Sequence, residues 1–332
     1  MAILVTGSAG HLGEALMRTL AGEKREAIGL DLLASPFTTH VGSVVDRAFV
    51  RRHMAGVRTV LHAATLHKPH VATHSQQDFV DINVTGTLNL LEEAVAAGVQ
   101  AFVFTSTTSV FGDALIPPAG APAAWITEDV SPVPKNIYGV TKAAAEDLCQ
   151  LFHRNHGLAC IVLRTSRFFP EEDDNPEVRA AYADANVKTN EFLARRVDIE
   201  DVVSAHLLAA EKARSRGFGR YIISATTPFS PDDLAQLRTD APRVVRQRVP
   251  AFEGEYARRD WHMFPAIDRV YVNARARAEL GWEPRHDFAA VIARLRSDGE
   301  LASPLARTIG RKGYHAGAFA EGDYPVERSP NG

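Results

Sequence analysis

The first two-thirds of the chain alternates short apolar runs with longer amphipathic ones, and this alternation restricts the fold more than any other feature. Runs rich in β-branched residues and leucine predict buried strands at 3–6, 27–30, 59–63, 101–105 and 159–163. Helices are predicted between them, over 12–20, 79–97 and 138–153. Such alternation is typical of a parallel sheet covered by helices on both faces. The predicted fold class is therefore α/β, with a doubly wound parallel sheet.

The pattern changes beyond residue 165, where a charged stretch with two prolines, 170–176, interrupts the alternation. We therefore predict a sheet core over 1–165 and a smaller, mostly substrate-binding C-terminal lobe over 166–332. The segment around 197–225, with a predicted helix and strand, is expected to return to the core. The tail after Ser303 has few apolar residues, so we expect an irregular segment, either loose or lying on a partner subunit.

Composition excludes several classes of protein. The formal net charge of −3 over 332 residues provides no basic field for nucleic acid or an anionic membrane surface. Two cysteines are too few for a disulfide framework, no apolar stretch is long enough to span a bilayer, and the first residues do not resemble a signal peptide. These features favour a cytoplasmic protein with a small-molecule substrate.

A glycine-rich loop follows the first predicted strand and opens a helix. Gly7, Gly10 and Gly13 stand where a tight turn, a close approach to a pyrophosphate and close helix packing each need glycine. Asp31 ends the second predicted strand 18 residues after Gly13, and a carboxylate there binds a ribose 2′-hydroxyl and repels a 2′-phosphate. The sequence therefore predicts a Rossmann-type site for NAD rather than NADP.

A second motif places a phenol and an ammonium on one helical face. Tyr138 and Lys142 are four residues apart at the start of a predicted helix, and a nearby positive charge favours the phenolate. The strand at 101–105 runs into hydroxyl residues at the edge of the sheet where such folds bind ligands. This combination indicates proton transfer at an alcohol or carbonyl.

Taken together, these residues resemble the extended short-chain dehydrogenase/reductase family, the NAD-dependent epimerases and dehydratases. The resemblance covers most of the chain. It rests on the glycine loop, Asp31, His62-Ala63-Ala64, 83–87, the Thr107…Phe111-Gly112 turn, Tyr138-x-x-x-Lys142, Leu163-Arg164, 197–202 and 278–282.

The resemblance assigns roles to individual positions. Tyr138 would be the acid/base, Lys142 its ribose-holding partner, and Thr107 the hydroxyl that orients the substrate. The residues that it implies along NAD are Gly7, Gly10, His11, Leu12, Gly13, Asp31, Leu32, Ser43, Val44, Ala63, Ala64, Thr65, Ser106, Tyr138 and Lys142. Relatives often form homodimers through helices corresponding to 79–97 and 138–153, so a homodimer is also expected.

Three departures bear on the reaction. Thr108 and Ser109 stand where dehydratases carry an Asp-Glu pair, which argues against elimination of water. Arg167 replaces an asparagine of many nucleotide-sugar enzymes, and the segment from Arg164 to Asp198 is short. In length and in residues 167–171 the chain looks more like uronate dehydrogenases, which act on free sugars. With Arg195 and Arg196 nearby, Arg167 would bind a substrate carboxylate or phosphate, or would pair with the acidic residues at 171–174.

The sequence leaves the net reaction open. Hydride transfer at a secondary alcohol of a sugar-like substrate, with net oxidation, is the first interpretation. Epimerisation like that of UDP-glucose 4-epimerase is the second, and a non-catalytic NAD-sensing regulator is the third. His62, His67, His70 and His74 crowd one stretch, but Pro69 interrupts it, and we predict a polar loop over the cofactor and no metal.

Overall fold

The protein is described by a computed structural model over residues 2–313. Seven parallel strands form the main sheet, in the order β3-β2-β1-β4-β5-β7-β8. A smaller parallel sheet pairs β6 with β9. The strand bounds are β1 Ala2–Thr6, β2 Ala27–Asp31, β3 His40–Val41, β4 Val57–His62, β5 Ala101–Thr107, β6 Ala124–Ile126, β7 Cys160–Thr165, β8 Phe218–Ile223 and β9 Arg269–Tyr271.

Fourteen α-helices are present between residues 2 and 313. Their bounds are α1 His11–Gly22, α2 Arg47–Met54, α3 Gln76–Phe79, α4 Gly86–Ala96, α5 Ile137–His156, α6 Pro176–Ala181, α7 Asp184–Glu191, α8 Ile199–Arg216, α9 Leu234–Leu237, α10 Ala241–Arg248, α11 Phe252–Arg259, α12 Ala274–Leu280, α13 Phe288–Arg296 and α14 Pro304–Ile309.

The predicted fold class is confirmed, because apolar residues cover both faces of the sheet. Side chains alternate between the two faces of a strand, so Ile3 and Val5 of β1 pack into one core cluster while Leu4 packs into the other. One cluster includes residues of α1 and α8, and the other includes residues of α2, α4 and α5. A parallel sheet buried on both faces is what near-continuous apolar strands predict.

The sheet takes strands from both sides of residue 165. β8 pairs with β7 along its whole length, from Cys160 opposite Phe218 to Thr165 opposite Ile223. A separate apolar cluster lies around α10, α11, α13 and the small sheet. The proposed division at residue 165 therefore separates functional roles and does not separate two structural units, since the main sheet contains strands from both sides of it.

The helix predicted over 79–97 is interrupted. A π-helical turn, Val80–Thr85, lies between α3 and α4. The buried Asn83 accepts a hydrogen bond from the Leu66 amide at 2.8 Å and donates to the Leu66 carbonyl at 3.2 Å. The wide turn thus connects this helix to the loop after β4, and π turns of this kind occur often at functional sites.

The tail after Ser303 differs from the prediction over its first part. Ser303 caps α14, and its hydroxyl donates to Asp198 at 2.6 Å. Ile309 is buried in the cluster with α1 and α8, while Lys312 pairs with Glu14 in the first turn of α1. Apolar residues at 305 and 309 give this short helix a face to bury, so it is an ordered part of the fold. The rest of the tail, from residue 314, lies outside the described residues.

Within residues 2–313, no helix combines the length and the apolar composition that a membrane span requires.

Candidate active site

A cavity of about 450 Å³ lies where β1, β4, β5 and β7 end, a size typical of small-molecule sites. The carboxyl ends of parallel strands are where sheets of this type bind ligands. Many of the residues predicted to form the site line this cavity: Gly7, Gly10, His11, Leu12, Gly13, Ala63, Thr65, Ser106, Thr107, Tyr138 and Arg167. Those predicted residues that lie outside its lining are Asp31, Leu32, Ser43, Val44, Ala64 and Lys142.

The glycine loop has the geometry of a phosphate cradle. Gly7 has φ +73°, and a Cβ there would lie 2.8 Å from the amide nitrogen of Ala64. A Cβ on Gly13 would lie 1.9 Å from the Gly7 carbonyl oxygen, so a side chain at either position would displace the backbone. Gly10 precedes α1, whose free N–H groups and dipole favour an anion. The loop therefore fits a pyrophosphate.

Asp31 is fixed beside that loop although it lies outside the cavity lining. Its carboxylate accepts hydrogen bonds from the backbone amides of Ala9 and Leu33, both at 2.9 Å. This geometry holds the carboxylate at the end of β2 next to the first turn of the glycine loop. A ribose bound along the loop would meet a negative charge there, which favours NAD over NADP.

Two of the residues predicted to lie near the adenine, Ser43 and Val44, contact other parts of the protein. Ser43 Oγ accepts a hydrogen bond from the Val45 amide at 3.1 Å, and Val44 is buried against Gly86. Leu32 is 57% exposed. His11 is buried, with its Nε2 2.9 Å from the Glu171 carboxylate. Through His11, the glycine loop therefore contacts the segment after β7, and the sequence did not indicate this contact.

Tyr138 and Thr107 meet in the cavity wall. α5 begins after Asn136, whose side chain accepts a hydrogen bond from the Gly139 amide at 3.1 Å, and this cap places Tyr138 in the first turn. Burial raises the pKa of Tyr138 to about 12, and a hydrogen bond with the Thr107 side chain opposes that rise. The predicted pairing of a phenol with an orienting hydroxyl is therefore present as a contact.

Lys142 lies beneath this pair, one helical turn further along α5. Its ammonium donates to the Thr105 carbonyl at 2.6 Å and lies 4.0 Å from the centre of the Phe104 ring. Burial lowers the pKa of Lys142 to about 7, while the nearby charge of Glu146 opposes that shift. The helix thus brings Lys142 to the strand that carries Thr107.

Glu146 is a residue of this region that the motif search missed. It is buried, accepts a hydrogen bond from Ser106 Oγ at 2.6 Å, and forms an ion pair with Arg164 at 2.7 Å. It follows Lys142 by four residues, so the helical spacing that pairs Tyr138 with Lys142 was the available signal. Its contacts fix the Ser106 hydroxyl at the cavity wall.

Arg167 lines the cavity but pairs with the acidic segment, which was one of its two predicted roles. Its guanidinium lies 2.6 Å from Asp173, 3.1 Å from Glu191 and 3.3 Å from Asp174. Asp174 in turn pairs with Lys68, in the loop after β4. These contacts draw the segment after β7 across the cavity, and Arg167 shares its charge among three carboxylates.

A sequence comparison decides the family. The model of a family described as "NAD dependent epimerase/dehydratase family" matches residues 3–224. The chain belongs to that family. Its members are NAD-dependent enzymes, which confirms the wider resemblance found in the sequence. The narrower resemblance to uronate dehydrogenases stays a prediction.

Individual members of the NAD-dependent epimerase/dehydratase family are similar over most of their length. The UDP-glucose 4-epimerase of Streptomyces lividans is 27% identical over 322 residues, which cover 87% of this chain and 93% of the relative. The dTDP-glucose 4,6-dehydratase of Streptomyces antibioticus is 30% identical over 326 residues, with 89% and 91% covered. A short-chain dehydrogenase/reductase superfamily protein from Agrobacterium tumefaciens, solved with bound NAD, has a TM-score of 0.61 at 24% identity, with 90% and 98% covered. The structural similarity to the Agrobacterium tumefaciens protein shows that the two chains share a fold.

The histidine-rich stretch of this family member does not gather around one point. His62 is hydrogen bonded to Thr6 at 2.7 Å and to Thr87 at 3.0 Å, and burial lowers its pKa well below the usual range. His67 lines the cavity, where its ring centre is 6.0 Å from that of Tyr138. In the part of the chain that the structure describes, no group of three side chains is arranged to hold a metal ion.

Proposed function

We propose that the chain is an NAD-dependent oxidoreductase that transfers hydride at a secondary alcohol of a sugar-like substrate, with Tyr138 as the acid/base. The contact between Tyr138 and Thr107, in the wall of a cavity that also contains the glycine loop, carries this proposal. A sensor of NAD would need the loop but not a phenol paired with a hydroxyl. The arrangement therefore favours catalysis.

The cofactor proposal rests on the fit of the loop. Gly7 and Gly13 leave room that a Cβ would fill, and Asp31 is held at the end of β2 beside them. Gly10, His11, Leu12, Ala63 and Thr65 line the same cavity and would lie along the dinucleotide. NAD, when bound, accepts a hydride from a carbinol carbon and can return it.

The proton follows a separate path. As the carbinol C–H bond breaks and the carbonyl forms, the hydroxyl proton passes to the phenolate oxygen of ionised Tyr138, which becomes the neutral phenol, and Thr107 donates to or accepts from the same substrate oxygen. Lys142 supports the phenolate by its charge from one turn below, as nearby cations favour an anion. Ser106, held by Glu146, bounds the reacting end of the cavity.

Net oxidation is our first proposal for the reaction. The segment between Arg164 and Asp198 is short, and Thr108 and Ser109 line the cavity where dehydratases would need an acid and a base. A compact free sugar, such as a uronic acid, fits this description. Epimerisation is the second candidate, because the Streptomyces lividans relative is a UDP-glucose 4-epimerase.

A cofactor assay separates these reactions. The purified protein is supplied with excess NAD and, in turn, with neutral sugars, uronic acids and UDP-sugars. Stoichiometric formation of NADH supports oxidation, and conversion of a sugar without net NADH supports epimerisation. If every substrate fails although NAD binds, the regulator interpretation replaces ours.

The Tyr138→Phe variant tests the acid/base role within the same assay. We expect kcat to fall by roughly 10²- to 10⁴-fold, the usual contribution of one positioned acid/base, with NAD affinity retained. Tyr182→Phe is the matched control, since Tyr182 lies outside the cavity lining. Full activity of Tyr138→Phe would contradict the proposed mechanism.

We also propose a homodimer formed through α4 and α5. Val140 and Leu151 are large apolar side chains of α5 that are 47% and 37% exposed, and Val80, 37% exposed, lies in the π turn that leads into α4. A second copy that presents the same two helices would cover all three side chains.

A cytoplasmic location completes the proposal. Cys149 and Cys160 are both buried, free thiols, as is usual where the environment is reducing.

A further inference from the structure

Arg269 is a cavity residue that no sequence motif singled out. It opens β9 of the small sheet, lines the same cavity as Thr107 and Tyr138, and has a side chain only 18% exposed. Its Nη1 lies 3.1 Å from Asp268, but its Nε is buried without a hydrogen-bond partner among the described residues. A buried guanidinium N–H without an acceptor is costly, so this geometry suits a ligand that supplies one.

The other arginines near the cavity each pair with at least one buried carboxylate. Arg167, Arg195 and Arg196 all pair with Glu191, at 3.1, 3.2 and 2.7 Å. Their charges lower the pKa of Glu191 to about 2, so it stays ionised at neutral pH. Asp173 and Asp174 add two further carboxylates to Arg167. A substrate anion would have to displace those carboxylates, whereas Arg269 keeps a donor available.

Backbone contacts hold Arg269 in place relative to this cluster. Arg269 pairs with Ala124 in the small sheet, and two residues later the Tyr271 amide donates to the Ala194 carbonyl at 2.9 Å. Arg195 is the next residue, so β9 is tied to the segment that carries the arginine cluster. A short strand fixed in this way holds the guanidinium more firmly than a loop would.

The net charge of the ionised side chains near the cavity restricts the charge of the ligand. Two ion-paired groups lie here, one of Lys68, Arg167, Arg195 and Arg196 with Asp173, Asp174 and Glu191, and one of Arg269 with Asp268. Together they have five cations and four carboxylates. One positive charge is left, and one carboxylate would neutralise it. A phosphate monoester, with a charge of about −1.5 to −2 at pH 7, and a diphosphate, with two negative charges, would both exceed it.

We propose that Arg269 binds a single anionic group of the substrate, a carboxylate or a phosphate, and selects charged sugars over their neutral counterparts. Planar guanidinium groups suit such oxyanions because they donate two parallel hydrogen bonds. This inference depends on the proposed function only in taking a sugar as the substrate. Arg167, the arginine expected from the sequence, instead organises the acidic segment.

Binding to the NAD-saturated protein tests the inference without turnover. Calorimetry compares D-glucuronate and D-galacturonate, which carry a carboxylate, with D-glucose 6-phosphate and with the neutral sugars D-glucose and D-galactose. We expect an anionic sugar to bind roughly 10- to 100-fold more tightly than its neutral partner, the range for hydrogen bonds to a charged group. The preferred probe identifies the anion as carboxylate or phosphate.

Substitutions then assign the preference to Arg269. Arg269→Gln should remove most of the preference and leave binding of the neutral sugar and of NAD unchanged, while Arg269→Lys should retain part of it. Arg285→Gln, at an arginine side chain that is 73% exposed, is the matched control. Equal binding of charged and neutral sugars by the wild type, or a full preference in Arg269→Gln, would overturn the inference.

The same titrations distinguish this inference from the proposed function. Tyr138→Phe should keep the preference for the anion while it loses turnover. If no sugar reacts but the preference still depends on Arg269, the proposed reaction fails and the anion site stands. If sugars react with no preference that depends on Arg269, the reaction stands and the anion site fails.

Discussion

Two side chains one helical turn apart in α5 have pKa values displaced by burial in opposite directions. The pKa of Tyr138 is raised to about 12 and that of Lys142 is lowered to about 7, because a buried site disfavours the charged form of each. At neutral pH the phenol of Tyr138 is therefore uncharged, while Lys142 is close to the midpoint of its titration and keeps about half of its charge. An approaching charge of either sign has a large effect on such a pair, which suits a site that must move a proton.

The buried Lys142 predicts how stability depends on pH. Its pKa is lower in the folded protein, about 7, than in the unfolded chain, where it is near its usual 10.5. Between these values the unfolded state binds more protons, so the free energy of unfolding rises with pH. Lys142→Met removes this contribution. The wild type should gain stability relative to Lys142→Met by at most about 1.4 kcal/mol per pH unit.

Urea titrations of both proteins at pH 7, 8 and 9 measure that difference, because other titrating groups cancel between them. A stability difference that stays constant with pH would show that Lys142 keeps its usual pKa in the folded state.

The cofactor preference depends on Asp31. Asp31→Ala removes the negative charge at the end of β2, so the repulsion of a 2′-phosphate should fall. We expect the ratio of NADP to NAD affinity to rise by roughly tenfold, equivalent to about 1.4 kcal/mol. Fluorescence titration with both cofactors measures the ratio, with Asp147→Ala, at an exposed carboxylate of α5, as control. An unchanged ratio would remove Asp31 from the ribose site.

The catalytic residues could be predicted because they belong to short-range motifs. Contacts between segments that are distant in the sequence could not be predicted. Tyr138 and Lys142 share one helix and Thr107 follows one strand, so spacing alone indicates that they meet. Arg167 pairs with Glu191, 24 residues away, and Arg269 comes from a strand of three residues without a motif. Nothing in the local sequence shows that Arg167 is bound by three carboxylates, or that the Nε of Arg269 has no hydrogen-bond partner among the described residues.

At the scale of the elements, hydrophobic periodicity predicted the long helices and the central strands within a few residues. It missed β3, β6 and β9, which have two or three residues each and too few positions to show a period. It also missed the π turn at Val80–Thr85. That turn accompanies the hydrogen bonds of Asn83 with Leu66 and Thr141, which exist only once the loop after β4 is in place.

Helix α1 offers a matched pair of glycines that tests the phosphate cradle. A Cβ on Gly13 would lie 1.9 Å from the Gly7 carbonyl, whereas nothing lies within 4 Å of a Cβ on Gly22. Gly13→Ala should lower NAD affinity at least about tenfold and destabilise the fold by roughly 1–3 kcal/mol, as overpacking does. Gly22→Ala should be neutral or stabilise by up to about 1 kcal/mol, because alanine favours a helix.

Thermal unfolding and NAD titration of the two glycine variants give both quantities. Equal effects at the two positions would mean that the close approach of α1 to the loop is unimportant for the cofactor.

At the scale of the whole molecule, the exposed aliphatic side chains of α5 predict assembly. Val140→Glu together with Leu151→Glu places two charges on the proposed interface, so we expect a shift from dimer to monomer. Val41→Glu is the control, since Val41 is 57% exposed on the edge strand β3. Analytical ultracentrifugation at several protein concentrations measures the molecular mass of each variant. A wild type that sediments as a monomer, or variants that remain dimers, would contradict the proposed interface.

The ion pair of Lys312 with Glu14 joins two residues that lie 298 positions apart in the chain. The helix that begins at the phosphate cradle is thus held by a residue that is translated long after it. On the ribosome, the first strands and helices emerge well before the residue that secures the start of α1. Until translation passes residue 312, the growing chain has a glycine loop and a first turn of α1 without that support.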